Sequence, residues 1–462
     1  MKITRLGLLC GWLPCAMFLF GGGACGPSGD DGVKTGDGDG GDGEDGGAAT
    51  GGADGPNGEA DGGSAAGEDS AGGGGASGGA KATGGADASA SGGGVAAGGN
   101  AAGGNNAAGG NSAAGGGSAA TGGAASTGGA SSGEGSCPTR VEGFGQDVTG
   151  GEGGNVVTAR TGTEIHKAIC DRAADDTPLI ILVDGTITPG NTSKQSGSCS
   201  TADGVIELKE IENISLVGVG TRGVLDQVGI HIRASTNLII QNLTIKNVRK
   251  ENTDTPSNGG DAIGMESDVS HIWIDRNLIF GSTTEGEEHD GLIDMKDHTT
   301  DVTISCNHLH TGGRGGLVAS SDSGTDGSTR ITWHHNWYDN LTSRTHLVRE
   351  AHGHFYNNYY SGIHSTGINS RNGATLLVEG NYFTESRNPL GTFFYTENPG
   401  VWEAHDNHFT SSVEWEAGDD EIPAGPNVQS TGSVSVPYQY TLDPVQDVPA
   451  IVMSSVGVGK LP

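Results

Sequence analysis

Basic residues are scarce in this sequence. The 24 Lys and Arg stand against 56 Asp and Glu, which leaves a net charge of −32 over 462 residues. So acidic a chain is excluded from general nucleic-acid binding, which needs a basic surface to neutralise phosphates. A polyanionic partner would require a cation between the two surfaces. Aromatic residues are also few, at 5%, and hydrophobic residues make up only 33%. Spread evenly, that apolar content could not offset the entropy of ordering one compact globule, so a segment without a core is expected. Long apolar runs are missing beyond the N-terminus and the mean hydropathy is −0.32, which excludes a polytopic membrane protein. The 87 glycines follow no every-third-residue period and prolines number only 15, which excludes collagen.

Residues 1–25 read as an export signal. Lys2 and Arg5 precede an apolar stretch from Leu6 to Phe20, followed by Gly21-Gly22-Gly23-Ala24-Cys25. The stretch is short and ends in small residues, which suits a secretory signal better than a spanning helix. A Cys after small residues, ahead of a long linker, resembles a bacterial lipoprotein processing site, although Gly22 stands where Leu is usual. The expected mature chain is therefore either held at the cell surface by a lipid anchor at Cys25 or freely secreted after ordinary cleavage, with no transmembrane span in either case. Residues 26–136 are almost wholly Gly, Ala, Ser, Asn, Thr and Asp, with no aromatic residue. They read as a disordered tether. A flexible coil of ~110 residues has an r.m.s. reach of about 60 Å, which suits a spacer.

Composition switches at Cys137. The segment 137–462 carries 20 basic and 42 acidic residues, so the acidity is not confined to the tether. Its four cysteines, Cys137, Cys170, Cys199 and Cys306, form an even set that suggests disulfides in an exported protein and allows three full pairings. Cys170 and Cys199 are nearest in sequence and are the favoured pair. Cys306 lies in an apolar strand pattern and also reads as a small buried hydrophobe.

A short alternating strand followed by Asn and an apolar residue recurs along this segment. It appears as LIIQNLTI, IDRNLIF, TISCNHLH, TWHHNWY, HFYNNYY, LVEGNYF and EAHDNHF, with Asn at 242, 277, 307, 336, 358, 381 and 407. Spacings of 22 to 35 residues with one strand-and-turn signal per unit indicate a solenoid. The units are too rich in Val, Ile, Thr, Trp and Tyr for helical repeats, and they lack the framework of a leucine-rich repeat. The expected fold is all-β: a right-handed, single-stranded parallel β-helix. An Asn at each turn can bond the same position on the next coil and satisfy backbone groups that would otherwise be buried unpaired. Before the repeats, TEIHKAICDRA reads as a helix and PLIILVDGTI as the first strong strand.

Two sets of residues carry the chemistry. Asp261 lies in NGGDAIGM, and Asp290 and Asp294 in EEHDGLIDMK. Carboxylates arriving from successive coils make a hard-oxygen site suited to Ca²⁺; the alternative is solvated turn aspartates. The basic set is Arg314 in TGGRGGLV with Arg344 and Arg349 in LTSRTHLVREAHGH. Glycines around Arg314 allow backbone or a bulky ligand to approach closely. Arg344 and Arg349 are an odd number of residues apart, so both reach one ligand only if the chain bends between them. Histidines such as His334, His335, His352 and His354 read as coil-stacking residues rather than zinc ligands.

These segments, from GTEIHKAI and PLIILVDGTI through GGDAIGMESDVSHIWIDRN and HDGLIDMKDHTTDVTISCNHLH to ITWHHNWYDNLTSRTHLVR, resemble polysaccharide lyase family 1, the pectate and pectin lyases. The resemblance covers nearly all of the segment 137–462. It implies that Asp261, Asp290 and Asp294 are calcium ligands, that Arg344 is the catalytic base, and that Arg349 binds substrate. Arg314 falls where the family usually has a lysine. Three positions depart from the pattern: Gly259 replaces a further calcium aspartate of some members, Arg276 replaces the His of a WIDH motif, and Thr345-His346 replaces the residue and proline after the base. The implied reaction is β-elimination on polygalacturonate by a monomeric enzyme with an alkaline optimum. Pectin lyases lack the calcium carboxylates, so Asp290 and Asp294 argue against action on methyl-esterified pectin. A non-catalytic β-helix that binds polysaccharide is the remaining alternative, and Arg344 together with Arg349 argues against it.

Overall fold

The structure is a computed structural model that describes residues 136–250, 260–282, 289–320, 329–394 and 397–461. The expected export signal with Cys25, the expected tether up to residue 135, and Gly259 lie outside those residues. The repeating segments wind into a parallel β-helix. Ten short strands, from Asn155–Ala159 to Val401–His405, stack in parallel as one sheet, and a second sheet of 17 strands forms the other sides. The order within a coil is clear at Thr300–Ser305, which is followed by a corner at Cys306 and Asn307 and then by the long strand His308–Val318. The next coil repeats this with Arg330–His334 and Trp337–Ser343, and then adds His346–Arg349. The first strong strand of the sequence reading, Leu179–Val183, is preceded by Asn155–Ala159, which pairs with it in parallel.

The corner is set by two adjacent residues. The first is left-handed: Arg276 (φ 52°), Cys306 (φ 55°), His335 (φ 54°), Asn357 (φ 50°) and Asp406 (φ 56°) all occupy this place. The second is the recurring Asn. The backbone N–H of Asn277 donates to Asn307 Oδ1 at 2.8 Å, and that of Asn307 to Asn336 Oδ1 at 3.0 Å. The ladder continues through Asn358, Asn381 and Asn407 at 3.0 Å per rung. Asn242 departs from the sequence reading. It is the left-handed residue of its corner (φ 58°), and Leu243 takes the ladder position, donating its N–H to Asn277 Oδ1 at 2.9 Å.

Inside the coils, side chains of like position stack. Ile240, Ile274, Ile304 and Trp333 follow one another in register, and all are buried. Burying each such side chain contributes about 1.5–3 kcal/mol. Phe355 continues this stack, its ring 4.2 Å from that of Trp333, and a second stack runs through Tyr338, Tyr360 and Phe383, with rings 4.9 and 4.4 Å apart.

Helix α1 (Gly162–Cys170) starts at Thr161, whose hydroxyl accepts the Glu164 N–H at 3.1 Å. Its Ile165 and Ile169 join the main core. Helix α2 (Val448–Ser455), which carries no repeat signal, lays Val448 and Val452 against Cys137 and Cys306. Cys170 pairs with Cys199, as favoured, and Cys137 pairs with Cys306, so Cys306 is a bridging residue rather than a lone buried thiol. Neither helix is long and apolar enough to cross a membrane.

Candidate active site

The candidate residues of the sequence come together on and beside the coil's last strand. Four such strands lie side by side in parallel register: Ile263–Glu266, Gly291–Met295, the end of His308–Val318, and His346–Arg349. Ile368–Arg371 follows next. Asp290 immediately precedes the strand Gly291–Met295, and Asp294 lies four residues on, so both project from the same side of the pleat. Asp261 enters from the previous coil, and its Oδ1 accepts the Gly291 N–H at 3.1 Å. The three carboxylates each bring an oxygen within 4.8 Å of the others, the one such cluster among the described residues.

Asp261 and Asp294 are each only 1% exposed. Burial, reinforced by Asp294, holds the Asp261 carboxyl well above its ordinary range despite the nearby Lys296 ammonium. Burial also raises Asp294, to about 6, with Lys296 opposing the rise. Asp294 Oδ1 accepts the Leu317 N–H at 3.1 Å, whereas its buried Oδ2 has no hydrogen-bond donor. Lys296 Nζ stands 3.3 Å from Asp261 Oδ2 and 3.8 Å from Asp294 Oδ2. Burial would lower the lysine, but the surrounding aspartates outweigh it and keep it charged. Buried, crowded carboxylates with an oxygen left over fit a divalent cation of the hard, oxygen-seeking kind.

The structure brings Arg314 to this cluster, with one guanidinium nitrogen 2.9 Å from Asp290 Oδ1. The glycines around it serve the backbone rather than a ligand. A Cβ on Gly315 would lie 2.6 Å from Thr345 Cα, and one on Gly316 would lie 2.1 Å from the Ile293 carbonyl oxygen. Their N–H groups donate to the Arg344 carbonyl at 3.1 and 3.0 Å. Arg344 is the bend that the odd spacing required: it is left-handed (φ 46°) and sits between the strands Trp337–Ser343 and His346–Arg349. Its own N–H donates to Thr366 Oγ1 at 3.1 Å. Beyond the bend, Arg349 faces outward and donates to the Ala319 carbonyl at 2.7 Å.

The departures from the family pattern turn inward. Thr345 Oγ1 donates to the Thr366 carbonyl, and His346 is buried between Tyr338, Trp333 and Phe355, its Nε2 3.2 Å from the Tyr360 hydroxyl. Burial pushes His346 down to about 3, so it is neutral and aids the core. Arg276 lies away from this face. It pairs with Asp275 at 2.6 Å and donates to the Cys137 and Pro138 carbonyls, tying the first described residues to the corner beside the Cys137–Cys306 bridge. Of the repeated histidines, His334 stacks on Tyr356 of the next coil, whereas His354 is held by a side-chain contact, its Nε2 2.9 Å from Glu379 Oε1.

Two cations on this face were missed in the sequence. Lys296 follows Asp294 by two residues, so strand alternation alone places it on the same face. Arg371 lies directly beside Arg349 on the next coil. The signal for it was the coil length: 22 residues separate Asn336 from Asn358, and the same number separates Arg349 from Arg371.

A family model described as pectate lyase matches residues 65–461. Pectate trisaccharide-lyase of Bacillus licheniformis is 39% identical over 314 residues, spanning 68% of this chain and 84% of that protein. A Bacillus pectate lyase solved in complex with trigalacturonate is 31% identical with a TM-score of 0.58, covering 70% of this chain and 100% of that one. Pectate lyase C of Erwinia chrysanthemi, solved at pH 9.5 with 30 mM Ca²⁺, is 27% identical with a TM-score of 0.58, covering 70% of this chain and 98% of that one.

Proposed function

The chain belongs to the pectate lyase family, and from that premise we propose that it cleaves polygalacturonate by calcium-assisted β-elimination on the face that carries Asp261, Asp290, Asp294 and Arg344. The observation that carries this reading is the carboxylate cluster set beside Arg314 and Lys296. Asp261, Asp290 and Asp294 would hold Ca²⁺, which when bound supplies positive charge for a galacturonate carboxylate and for the negative charge that develops beside it. The remaining work falls to side chains of the protein. Arg349 and Arg314 present planar guanidinium forks that hold sugar carboxylates by paired hydrogen bonds. Arg344 takes the proton from C5 of the sugar. The electron pair left at C5 forms the C4–C5 double bond, the C4–O bond breaks, and the departing oxygen is protonated by water. A free guanidinium stays protonated below a pH of ~12. The reaction is therefore expected to run best under alkaline conditions.

The buried Thr345 and His346 leave the bend at Arg344 intact, which supports an active enzyme over a non-catalytic β-helix. Secretion, lipidation of Cys25 and display on a tether belong to the same proposal, since an enzyme acting on a polymer must meet it outside the cell. The decisive measurement is ultraviolet absorbance of unsaturated product released from polygalacturonate, with Ca²⁺ and with chelator. Equal rates in both would end the calcium reading. Absence of unsaturated product would end the lyase mechanism.

A further inference from the structure

We infer that Phe394 is a positioning residue for the proton-abstracting arginine. The guanidinium carbon of Arg344 lies 5.8 Å from the centroid of the Phe394 ring, over its face. An arginine at that distance is attracted by the ring's negative face and restricted in orientation. Arg344 leaves a bend in the backbone, and an aromatic surface beside its head limits where that head can point. This inference rests on Arg344 being the base.

The ring's placement is enforced by its backbone. Phe394 is left-handed (φ 58°), which is unusual for a bulky side chain. The same corner on other coils is also left-handed, at Glu210, Ala234, Ser267, Asp297, Glu350 and Asn372. Phe394 is the aromatic member of that column. Two contacts hold it there. Asn369 clasps the preceding residue from both sides, accepting the Phe393 N–H at 2.9 Å and donating to the Phe393 carbonyl at 2.9 Å. The Phe394 N–H donates to the Asp420 carbonyl at 2.9 Å, just before the short antiparallel strand Glu421–Pro423 that covers Leu390–Phe393. A late segment of the chain thus closes over this coil and fixes an aromatic ring toward an arginine two coils earlier.

The test compares Phe394→Leu, Phe394→Asn and Phe394→Tyr on polygalacturonate. Asparagine suits the left-handed backbone, as Asn372 shows at the equivalent corner, so it removes the ring without straining the fold. Both ring-less variants are expected to lower kcat about five- to tenfold with unchanged melting temperature and with KM altered by less than about twofold. Phe394→Tyr keeps the aromatic face and should restore kcat. In an Arg344→Ala background, Phe394→Asn should cost nothing further, because the two act as one unit. Unchanged kcat in Phe394→Asn, or a tyrosine variant as impaired as the asparagine one, would overturn the inference while leaving Arg344 as the base. Normal turnover in Arg344→Ala alone would overturn the base assignment and the inference together.

Discussion

His231 makes the fold's stability depend on pH across the range in which the enzyme is expected to work. Its ring lies between two carboxylates from neighbouring coils, with Nδ1 3.1 Å from Glu207 Oε2 and Nε2 3.1 Å from Glu266 Oε1. Arg233 stands 3.8 Å from Glu266 on the same face, Lys296 also acts on Glu266, and Gly264 faces the ring from the next strand. Burial alone would lower the imidazole, but the two glutamates outweigh it and raise it from 6.5 to about 9. At roughly 1.4 kcal/mol per pH unit, that interval corresponds to about 3 kcal/mol. The matching depression of Glu266 is the same contact seen from its partner and is not added. Because the folded value lies above the unfolded one, the stabilisation is fully present below about pH 6.5 and is lost as pH rises through about 9. Thermal unfolding from pH 6 to 10 should show this decline in the parent protein. His231→Gln removes the titrating group and should be less stable at pH 6, with a much flatter profile up to pH 10. A variant that retained the parent's slope between those values would show that the decline arises elsewhere.

Three other outcomes follow from the same geometry. Asp290→Ala and Asp294→Ala should each abolish calcium-dependent cleavage while leaving far-UV circular dichroism unchanged; cleavage that survives both substitutions and chelator would place the cation elsewhere. Arg344→Lys keeps the charge but changes its reach, so kcat should fall by at least about 100-fold with little change in KM, whereas Arg349→Lys should chiefly raise KM because a two-pronged contact becomes a point charge; inhibitor binding by an oligogalacturonate separates the two effects. A chain starting at Cys137 should fold and retain its specific activity, since the segment 26–136 has no aromatic residue with which to build a core, and loss of folding on its removal would move the boundary.

Much of this was legible in the sequence because a β-helix is local in one respect: each coil repeats the same corner. The Asn pattern gave the ladder from Asn277 to Asn407, and the even spacing of Asp290 and Asp294 gave a shared face. The Asn242 register was misread because LIIQNLTI fits the pattern equally well shifted by one residue, and only the pairing of Thr244 with Leu278 decides between the two. The Cys137–Cys306 bridge spans 169 residues, so no spacing rule could select it. Glu207 and His231 meet because coils of different length still bring like positions into register, and Glu266, which pairs with Arg233, reaches the same ring diagonally. That depends on where the loops are inserted, which periodicity does not reveal. The glycines around Arg314 were seen, but their purpose needed the neighbouring coil: they let Thr345 approach and hold the Arg344 carbonyl.

The charge of the protein then has a physical reading that its total does not convey. The segment 137–462 is strongly acidic, with 42 acidic residues against 20 basic ones, and a polygalacturonate chain is itself an anion. Net repulsion between them is screened beyond about 10 Å at moderate salt, so contact is governed by the charges within a few ångströms of the groove. There the balance differs. Lys296, Arg314, Arg344 and Arg349 gather on or beside one outer face, with the buried Arg371 next to Arg349, drawn from four successive coils. The three aspartates among them are the ones a divalent cation would neutralise. In the structure Lys296 pairs with Asp261 and Asp294, and Arg314 with Asp290. A divalent cation held by those carboxylates would take over their charge, and both basic side chains would then become available to a substrate carboxylate. Such a cation would contribute to binding in two ways: through its own charge, and through the release of two basic side chains already in place.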